Sequence, residues 1–303
     1  MPPHGLDLEI RTAYLSQRCY TQRVTRLIVN ADDFGLTAGV NRAILELHAA
    51  GVLTSTTLMA LAGATRDAIE KARATASLGV GCHIVLVDGE SVLSPRKIPT
   101  LIDSRTGKLL PTLGAFLARL LTGRIRSEEI EAEARAQIER LQAKGVQLTH
   151  VDTHKHTHMF PEVLRAVLRA AQSCGIRIIR NPFEPAWAVQ ATNGAAWMRV
   201  AQVTLLRTLE PRCRRILAEQ GFATTDGTIA VVGTGTLTAE TLRALLRHAQ
   251  PGTWELVTHP GYNDSDLDRI RTRLRASRDT EREALRVLKE FPALELISFA
   301  QLS

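Results

Sequence analysis

Short apolar runs alternate with stretches of helical periodicity along most of this 303-residue chain. A short apolar run bounded by turn residues predicts a buried strand, whereas apolar positions three and four residues apart predict an amphipathic helix. Strands are predicted at Arg26–Ala31, Thr54–Ala60, Leu78–Val85, Gln147–Val151, Ile176–Arg180, Thr228–Val232, Trp254–Thr258 and Leu294–Ser298. Helices are predicted at Ala38–Ala50, Ala64–Ala76, Ser127–Lys144, Pro161–Ser173, Ala239–His248 and Thr280–Glu290. Gly51, Gly145 and Gly175 follow three of these helices, as is typical of helix ends.

The alternation of strands and helices predicts an α/β fold with a mainly parallel sheet. About seven strands suit a distorted (β/α) barrel better than a small sandwich. The stretches 88–126 and 181–225 break the alternation and are long enough to be insertions over the active-site rim. Residues 1–25 are expected to form a poorly ordered N-terminal extension, which leaves residues 26–303 as a single domain.

Composition narrows the class of protein. The hydrophobic content of 45% is ordinary for a globular enzyme. Cys19, Cys82, Cys174 and Cys213 are widely spaced and form no CxxC pair, which argues against a disulfide framework and against a thiolate zinc site. Residues 1–25 lack the apolar core of a signal peptide, and no run of about eighteen apolar residues occurs, so we expect a cytoplasmic protein.

The chain is basic, with a net charge of +7 and a sequence pI of about 9.6. Nucleic acid, an anionic membrane surface or simple solubility could each explain this balance. Aromatic residues make up only 4% of the chain, too few for the base-stacking surface of a single-strand binder. We therefore expect no nucleic-acid partner. The sequence leaves the oligomeric state open, a homo-oligomer included.

The densest group of candidate functional residues is the segment His150–His158, which holds four of the nine histidines and one carboxylate, Asp152. Imidazole and carboxylate together bind borderline divalent cations. The alternative is that these histidines lie on the surface or have only incidental metal affinity. The cluster therefore predicts a metal site that at least one of them helps to form.

Other polar residues follow predicted strands, where the catalytic groups of parallel α/β folds gather. These are Asp32, Asp33, His83, Arg180 and His259. The adjacent carboxylates of Asp32 and Asp33 repel one another unless a cation neutralises them, and a metal on one would leave the other free as a base. Capping of the next helix is the alternative role for the pair. His83 and His259 are ambiguous when taken alone, so the prediction depends on their convergence.

Four motifs resemble those of the YdjC-like carbohydrate deacetylases and occur in the family's order, over roughly residues 25–262. They are Asn30–Gly35 (NADDFG), Gly81–His83 (GCH), His150–His156 (HVDTHKH) and Thr258–Gly261 (THPG). Gly81–Leu93, the HKHTH run and Asn181–Pro185 (NPFEP) are most similar to the hopanoid-biosynthesis-associated branch. That branch implies removal of acetyl from an N-acetylglucosamine carried on a lipid, acetylglucosaminyl bacteriohopanetetrol.

The resemblance implies a role for each candidate residue. Asp33, His83 and His154 would be the metal ligands, Asp32 the general base and His259 the general acid. Arg180 would hold Asp32 ionised. The remaining candidates, His150, Asp152, His156 and His158, would contact the sugar or support the ligands. Zn²⁺ is the expected ion, with Mg²⁺, Mn²⁺ and Co²⁺ as alternatives. Thr153 and Lys155 depart from many relatives, so the sugar contacts are expected to differ.

A lipid-linked substrate would bring the protein to a membrane surface. The stretches 109–126 and 198–217 are rich in leucine and arginine, and a basic amphipathic helix can lie on an anionic interface. Core packing beneath an arginine-covered face is the alternative. The expected partners are thus an N-acetylated sugar or glycolipid and, peripherally, the anionic face of an inner membrane.

The sequence is also compatible with three other functions. The first is a deacetylase of soluble chito-oligosaccharides, which would need no lipid. The second is a non-haem iron oxygenase that uses His150, Asp152 and His259, although such sites usually occur in all-β folds. The third is a non-catalytic basic scaffolding protein with a structural metal.

Overall fold

The computed structural model describes residues 25–192, 194–270 and 272–302, and its centre is a seven-stranded sheet that curls into a half-barrel. The strands are β1 (Thr25–Phe34), β2 (Ser55–Leu58), β3 (Gly79–Ile84), β4 (Val151–Thr153), β5 (Gly227–Ile229), β6 (Gly252–Thr258) and β7 (Glu295–Ile297). Their order is β4-β3-β2-β1-β6-β5, with β7 also on β1, and every pairing between them is parallel. The predicted α/β class and distorted barrel are therefore confirmed.

Strand β1 is the centre of the sheet, and its residues from Leu27 onward are buried. It pairs with β6 along Thr25–Ala31. On its other edge it pairs first with β7 and then, from Asn30, with β2. Because three strands flank β1, its carboxyl end lies in the middle of the rim where the other parallel strands also end.

The predicted strand Ile176–Arg180 is wrong as a continuous element. Ile179 forms an isolated bridge with Val151 of β4, and Ile178 forms one with Ala223. This segment thus forms one isolated bridge with each of two different segments. Neither bridge extends into a hydrogen-bonded ladder long enough to make a strand. These single bridges nevertheless link β4 towards β5 and curl the sheet.

The described residues also form eleven α-helices. They are α1 (Ala38–Ala49), α2 (Thr65–Ala74), α3 (Leu113–Leu121), α4 (Ser127–Gln142), α5 (Pro161–Ser173), α6 (Ala186–Ala191), α7 (Trp197–Leu206), α8 (Glu210–Glu219), α9 (Ala239–Arg247), α10 (Ser265–Asp268) and α11 (Ser277–Ala284). Short 3₁₀ helices cover His154–Met159, Arg207–Leu209, Leu285–Glu290 and Phe299–Gln301.

Helix α5 shows how local sequence sets the ends of an element. Pro161 lies in the first turn, where its missing N–H would have had no helical partner. Gly175 follows the helix at a φ of 79°, a conformation that glycine adopts without strain. The predicted bounds of this helix are confirmed.

The predicted C-terminal helix Thr280–Glu290 starts three residues earlier, at Ser277, and its second half is a 3₁₀ helix. The earlier start brings Arg278 into the interior, where it is 1% exposed.

Both predicted insertions contain short helices and contact the rim. Asp88, at the start of the first, pairs with Lys155 in the turn after β4. In the second, Val203 of α7 packs on Val231, Val232 and Val257 near the carboxyl ends of β5 and β6. No described helix has the length and hydropathy needed to cross a bilayer. The predicted extension lies outside the described residues, apart from Thr25.

Candidate active site

A kink at the end of β1 turns two adjacent carboxylates towards the same rim. In a regular strand, neighbouring side chains point to opposite faces. Asp33 instead has a φ of 66°, and the pairing with β2 shifts register between Ala31 and Phe34. As a result, both Asp32 and Asp33 lie beside imidazoles of other strands.

Asp33, His83 and His154 bring three potential ligand atoms together. His83 Nε2 lies 3.2 Å from His154 Nδ1, and both nitrogens lie 3.7 Å from Asp33 Oδ1. A triangle with these sides has room at its centre for an ion about 2.1 Å from each corner, the usual bond length of zinc to imidazole nitrogen and carboxylate oxygen. The three residues predicted as ligands therefore have the spacing and the donor chemistry of a divalent-metal site.

Contacts with neighbouring residues orient the imidazoles of His83 and His154. His83 Nδ1 lies 2.8 Å from Asp152 Oδ1, so it donates there and leaves Nε2 free to bind a cation. His154 opens a turn in which Lys155 and His156 have φ values of 56° and 52°. The Lys155 ammonium lies 2.6 Å from Asp88 Oδ2 and ties this strained turn to the chain beyond β3.

The pKa values of the two histidines describe the potential at the site. Burial lowers the pKa of His154 to about 4, which keeps its ring neutral and able to bind a metal. Burial also opposes protonation of His83, but Asp152, Asp32 and Asp33 outweigh it and raise the pKa of His83 to about 9. The three carboxylates near His83 thus favour a positive charge at this position, which a divalent cation could supply in place of the proton.

A second group of possible ligands, Asp32, His83 and Asp152, also lies within 4.8 Å. Arg180 already occupies it. Its Nη1 and Nη2 donate to the two oxygens of Asp32 at 2.9 and 2.6 Å, and it also pairs with Asp152 and Glu255. Because a guanidinium stands where a cation would bind, the first group is the better candidate for a metal site.

Arg180 also controls the charge of the carboxylates around it. Burial alone would raise the pKa of Asp32, but Arg180 and nearby histidines hold it well below its usual range. Asp32 therefore stays ionised. Burial raises the pKa of Glu255 to about 7 despite its bond to Arg180, so this carboxyl takes up a proton more readily than Asp32 does.

His259 follows β6 and faces Asp32 across the rim. Its Nε2 lies 3.8 Å from Asp32 Oδ2, and its Nδ1 lies 3.8 Å from Glu281 Oε2. Its backbone N–H donates to Glu281 Oε2 at 2.7 Å. Burial lowers the pKa of His259, but Glu281, Asp32 and Asp33 together raise it above the ordinary value. The ring is therefore protonated at a pH where an ordinary histidine is neutral.

The other predicted histidines take different positions. His156 lies near enough to Arg180, Asp32 and His259 for their charges to affect its pKa, which burial lowers. His158 contacts Thr153 Oγ1 at 2.7 Å and the Arg180 carbonyl oxygen at 3.2 Å, so it fixes the backbone beneath the site.

His150 is not part of the ligand group. Its ring stacks on Phe299 at 3.8 Å, and a Cβ on Gly81 would lie 2.6 Å from it. His150 precedes β4, two residues before Asp152, and its ring contacts Gly81 and Phe299 instead of the ligand group. Glycine at position 81 makes room for this ring.

Sequence reasoning missed two buried charged residues of α11. Arg278 Nη2 donates to Asp33 Oδ2 at 2.5 Å, and Glu281 contacts His259 as described above. Their surroundings in the sequence, SRDTEREA, have the charge density of a solvent-exposed helix. Only the three-residue spacing of Arg278 and Glu281, which places them on one helix face, was a usable signal.

Comparisons with known proteins place this arrangement in a family. A carbohydrate deacetylase from Thermoanaerobacter pseudethanolicus is 28% identical over 262 residues, which are 86% of this chain and 90% of that protein. A carbohydrate deacetylase from Brevibacillus brevis is 41% identical over 147 residues, 48% of this chain and 56% of that protein.

A crystal structure from Enterococcus faecalis V583, of a protein provisionally assigned to cellobiose-phosphate cleavage, has the same fold. It superposes with a TM-score of 0.73 at 24% identity and covers 92% of this chain and 99% of its own. The model of the YdjC-like protein family matches residues 26–291, which include every site residue described above. This chain therefore belongs to the YdjC-like family.

Proposed function

We propose that this protein is a metal-dependent carbohydrate deacetylase that hydrolyses the acetamide of an N-acetylglucosamine-type sugar. The observation that carries the proposal is the three-atom group of Asp33, His83 and His154 beside the facing pair Asp32 and His259. The names of the relatives support the same activity.

Asp33, His83 and His154 would hold the divalent ion, and their two nitrogens and one oxygen suit Zn²⁺ first, with Mn²⁺, Co²⁺ and Mg²⁺ as alternatives. When bound, the ion would supply a Lewis acid for the acetyl oxygen and for water. The neutral ring of His154 fits this role. His83, whose Nδ1 donates to Asp152, would bind through Nε2 in place of the proton that this nitrogen otherwise carries.

Asp32 and His259 fit the two proton transfers that amide hydrolysis needs. Asp32, kept ionised by Arg180, would take a proton from the attacking water, whose oxygen bonds to the acetyl carbon. His259, protonated because of Glu281 and the rim carboxylates, would give a proton to the sugar nitrogen as the C–N bond breaks. Acetic acid and a free amine result, and the acid loses its proton to solvent. His259 Nε2 lies 3.8 Å from Asp32 Oδ2, beyond direct hydrogen-bond distance, so a water between them would carry the proton from Asp32 back to His259.

The remaining candidates would support or contact the sugar. Asp152 would fix the tautomer of His83, and His158 the backbone of Arg180. His156, whose surroundings are Asp32, Arg180 and His259, is the histidine we assign to the sugar. His150 would support β3 and β4 from within the sheet.

We further propose a lipid-linked sugar, acetylglucosaminyl bacteriohopanetetrol, as the substrate, with peripheral binding to a cytoplasmic membrane face. Trp197, Met198 and Leu205 of α7 are 65–77% exposed and fall within about 100° of helical arc. This exposed apolar face, with Arg207 at the end of the helix, has the composition of an interfacial segment.

Mass spectrometry of substrates incubated with the metal-loaded protein tests the proposal. We expect loss of one acetyl group from the glycolipid, abolished by chelation. A His83→Ala variant, which lacks one proposed ligand, should be inactive. A His248→Ala variant, altered directly after the end of α9, should keep its activity. Deacetylation of free chito-oligosaccharides alone would favour the alternative substrate. Failure with every N-acetylated sugar would contradict the proposed activity.

A further inference from the structure

Arg278 is a buried cation beside one of the proposed ligands, and it comes from a distant part of the chain. It lies on α11, 245 residues from Asp33, and is 1% exposed. Its Nη2 donates to Asp33 Oδ2 at 2.5 Å. A guanidinium is costly to bury unless a carboxylate matches it, and Asp33 is its one carboxylate partner among the described residues.

The two oxygens of Asp33 have separate partners. Oδ2 accepts from Arg278, whereas Oδ1 lies 3.7 Å from both His83 Nε2 and His154 Nδ1. The bond to Arg278 prevents the carboxylate from rotating both oxygens towards the histidines. It also fixes which oxygen faces them.

We propose that Arg278 is a positioning residue for the metal site, which restricts Asp33 to binding a divalent ion through Oδ1 alone. This inference rests on the proposed function, because it requires that Asp33, His83 and His154 bind a metal. Helix α11 thereby controls the ligand geometry although it contributes no ligand.

A comparison with Arg180 argues against a purely structural role. All three nitrogens of Arg180 pair with carboxylates. In Arg278, by contrast, Nε and Nη1 are buried without a hydrogen-bond partner in the described part of the chain. Most buried polar groups in folded proteins have a hydrogen-bond partner, and Arg135 and Arg282 each leave only one nitrogen, Nε, buried without a partner in the described part of the chain. An arginine that leaves two donors unused while holding one oxygen of a ligand is better explained by the ligand it holds.

The test is calorimetric titration of Zn²⁺ into the full chain after chelation, for wild type, Arg278→Met, Arg278→Lys and Arg282→Met. We expect Arg278→Met to weaken Zn²⁺ binding roughly 10- to 100-fold. Arg278→Lys should restore much of the affinity, because a single nitrogen contacts Asp33 and an ammonium can replace it. Arg282 is the matched control, since it lies one turn along α11 and pairs with Asp279 and Glu283 outside the site.

The outcomes separate the two proposals. Wild-type affinity in a folded Arg278→Met variant, or equal weakening in Arg282→Met, would overturn the role of Arg278 alone. If Arg278→Met does not fold, the lysine variant decides: folded protein with near wild-type affinity supports positioning, and affinity lost as fully as in Asp33→Asn overturns it. Absence of stoichiometric Zn²⁺ binding by wild type would overturn both this role and the metal site.

Discussion

At the scale of single residues, Asp32 and Asp33 show how the backbone gives two identical side chains different tasks. The kink at Asp33 sends one carboxylate to Arg180 and the other to two imidazoles and Arg278. The first is saturated with donors and stays ionised, whereas the second keeps one oxygen free of hydrogen bonds from nitrogen. In the proposed mechanism, adjacent positions would thus provide a base and a ligand without competing for the same cation.

Replacing Asp32 with Asn should abolish turnover while the protein still folds and binds metal. Asn keeps the shape and one acceptor oxygen but cannot take a proton, so kcat should fall by about 10²–10⁴-fold. Asp152 and Glu255 continue to neutralise Arg180 and preserve the fold. Steady-state kinetics with metal analysis of the same sample measures this, and a variant that retained most of its kcat would exclude Asp32 as the base.

Replacing Glu281 with Gln should move the alkaline limb of the pH–rate profile to lower pH. Glu281, Asp32 and Asp33 raise the pKa of His259, so the acid form persists above the ordinary histidine pKa and is lost as the pH rises through the shifted value. Gln keeps an acceptor for the His259 N–H but removes the charge, so proton loss comes earlier. The profile of kcat/KM checks this. An unmoved limb would mean that another group is the acid.

The residues that sequence reasoning brought together are those at the ends of strands. Asp32, Asp33, His83 and His259 share the rim because parallel strands end on one side of a sheet. Arg278 and Glu281 could not be found in the same way. Their helix reads as solvent-exposed, and only the packing of the C-terminal segment across the end of β1 buries them.

At the scale of elements, the apolar pattern located most strands and helices but not how they pair. Pro161–Ser173 carries its own start and stop signals, so its bounds were predictable. Ile176–Arg180 reads as a strand, yet its neighbours in space offer only one partner residue each. Helix α7 carries apolar residues on both its buried and its exposed sides. Its sequence therefore has no clear apolar period that would predict which side faces the core.

Replacing Trp197 and Leu205 together with Ser should remove binding to anionic vesicles. Both side chains lie on the exposed face of α7 and are not part of the site, so hydrolysis of free sugars should be unchanged. Vesicle flotation at low salt measures binding, with Gln202→Ala on the same helix as the control. Absence of wild-type binding to phosphatidylglycerol vesicles would rule out the membrane contact and leave the hydrolase unaffected.

At the scale of the whole molecule, the proposed ligands come from three places in the chain: the ends of β1 and β3 and the turn after β4. β2 separates β1 from β3 in the sheet, so an ion shared by these groups would cross-link strands that are not direct neighbours. Metal binding should therefore stabilise the fold as a unit.

Zn²⁺ at about 100 times its Kd should raise the free energy of unfolding by about 2.7 kcal/mol. The shift should disappear in His154→Ala, whose partly exposed ring can be removed with little loss of packing. Thermal unfolding of chelated and metal-loaded samples measures it. Equal stabilisation of wild type and His154→Ala would place the ion elsewhere.

The position of Arg180 among three carboxylates affects how variants of this residue should be interpreted. Among the described residues, its guanidinium is the one that pairs with Asp32, Asp152 and Glu255, which come from three different strands. A variant without this guanidinium would leave three carboxyl groups unpaired in a dry interior. Their mutual repulsion would then favour protonation of these groups or the entry of water. Loss of activity in such a variant would report a collapsed framework, and genetic screens would score position 180 as essential whatever the substrate.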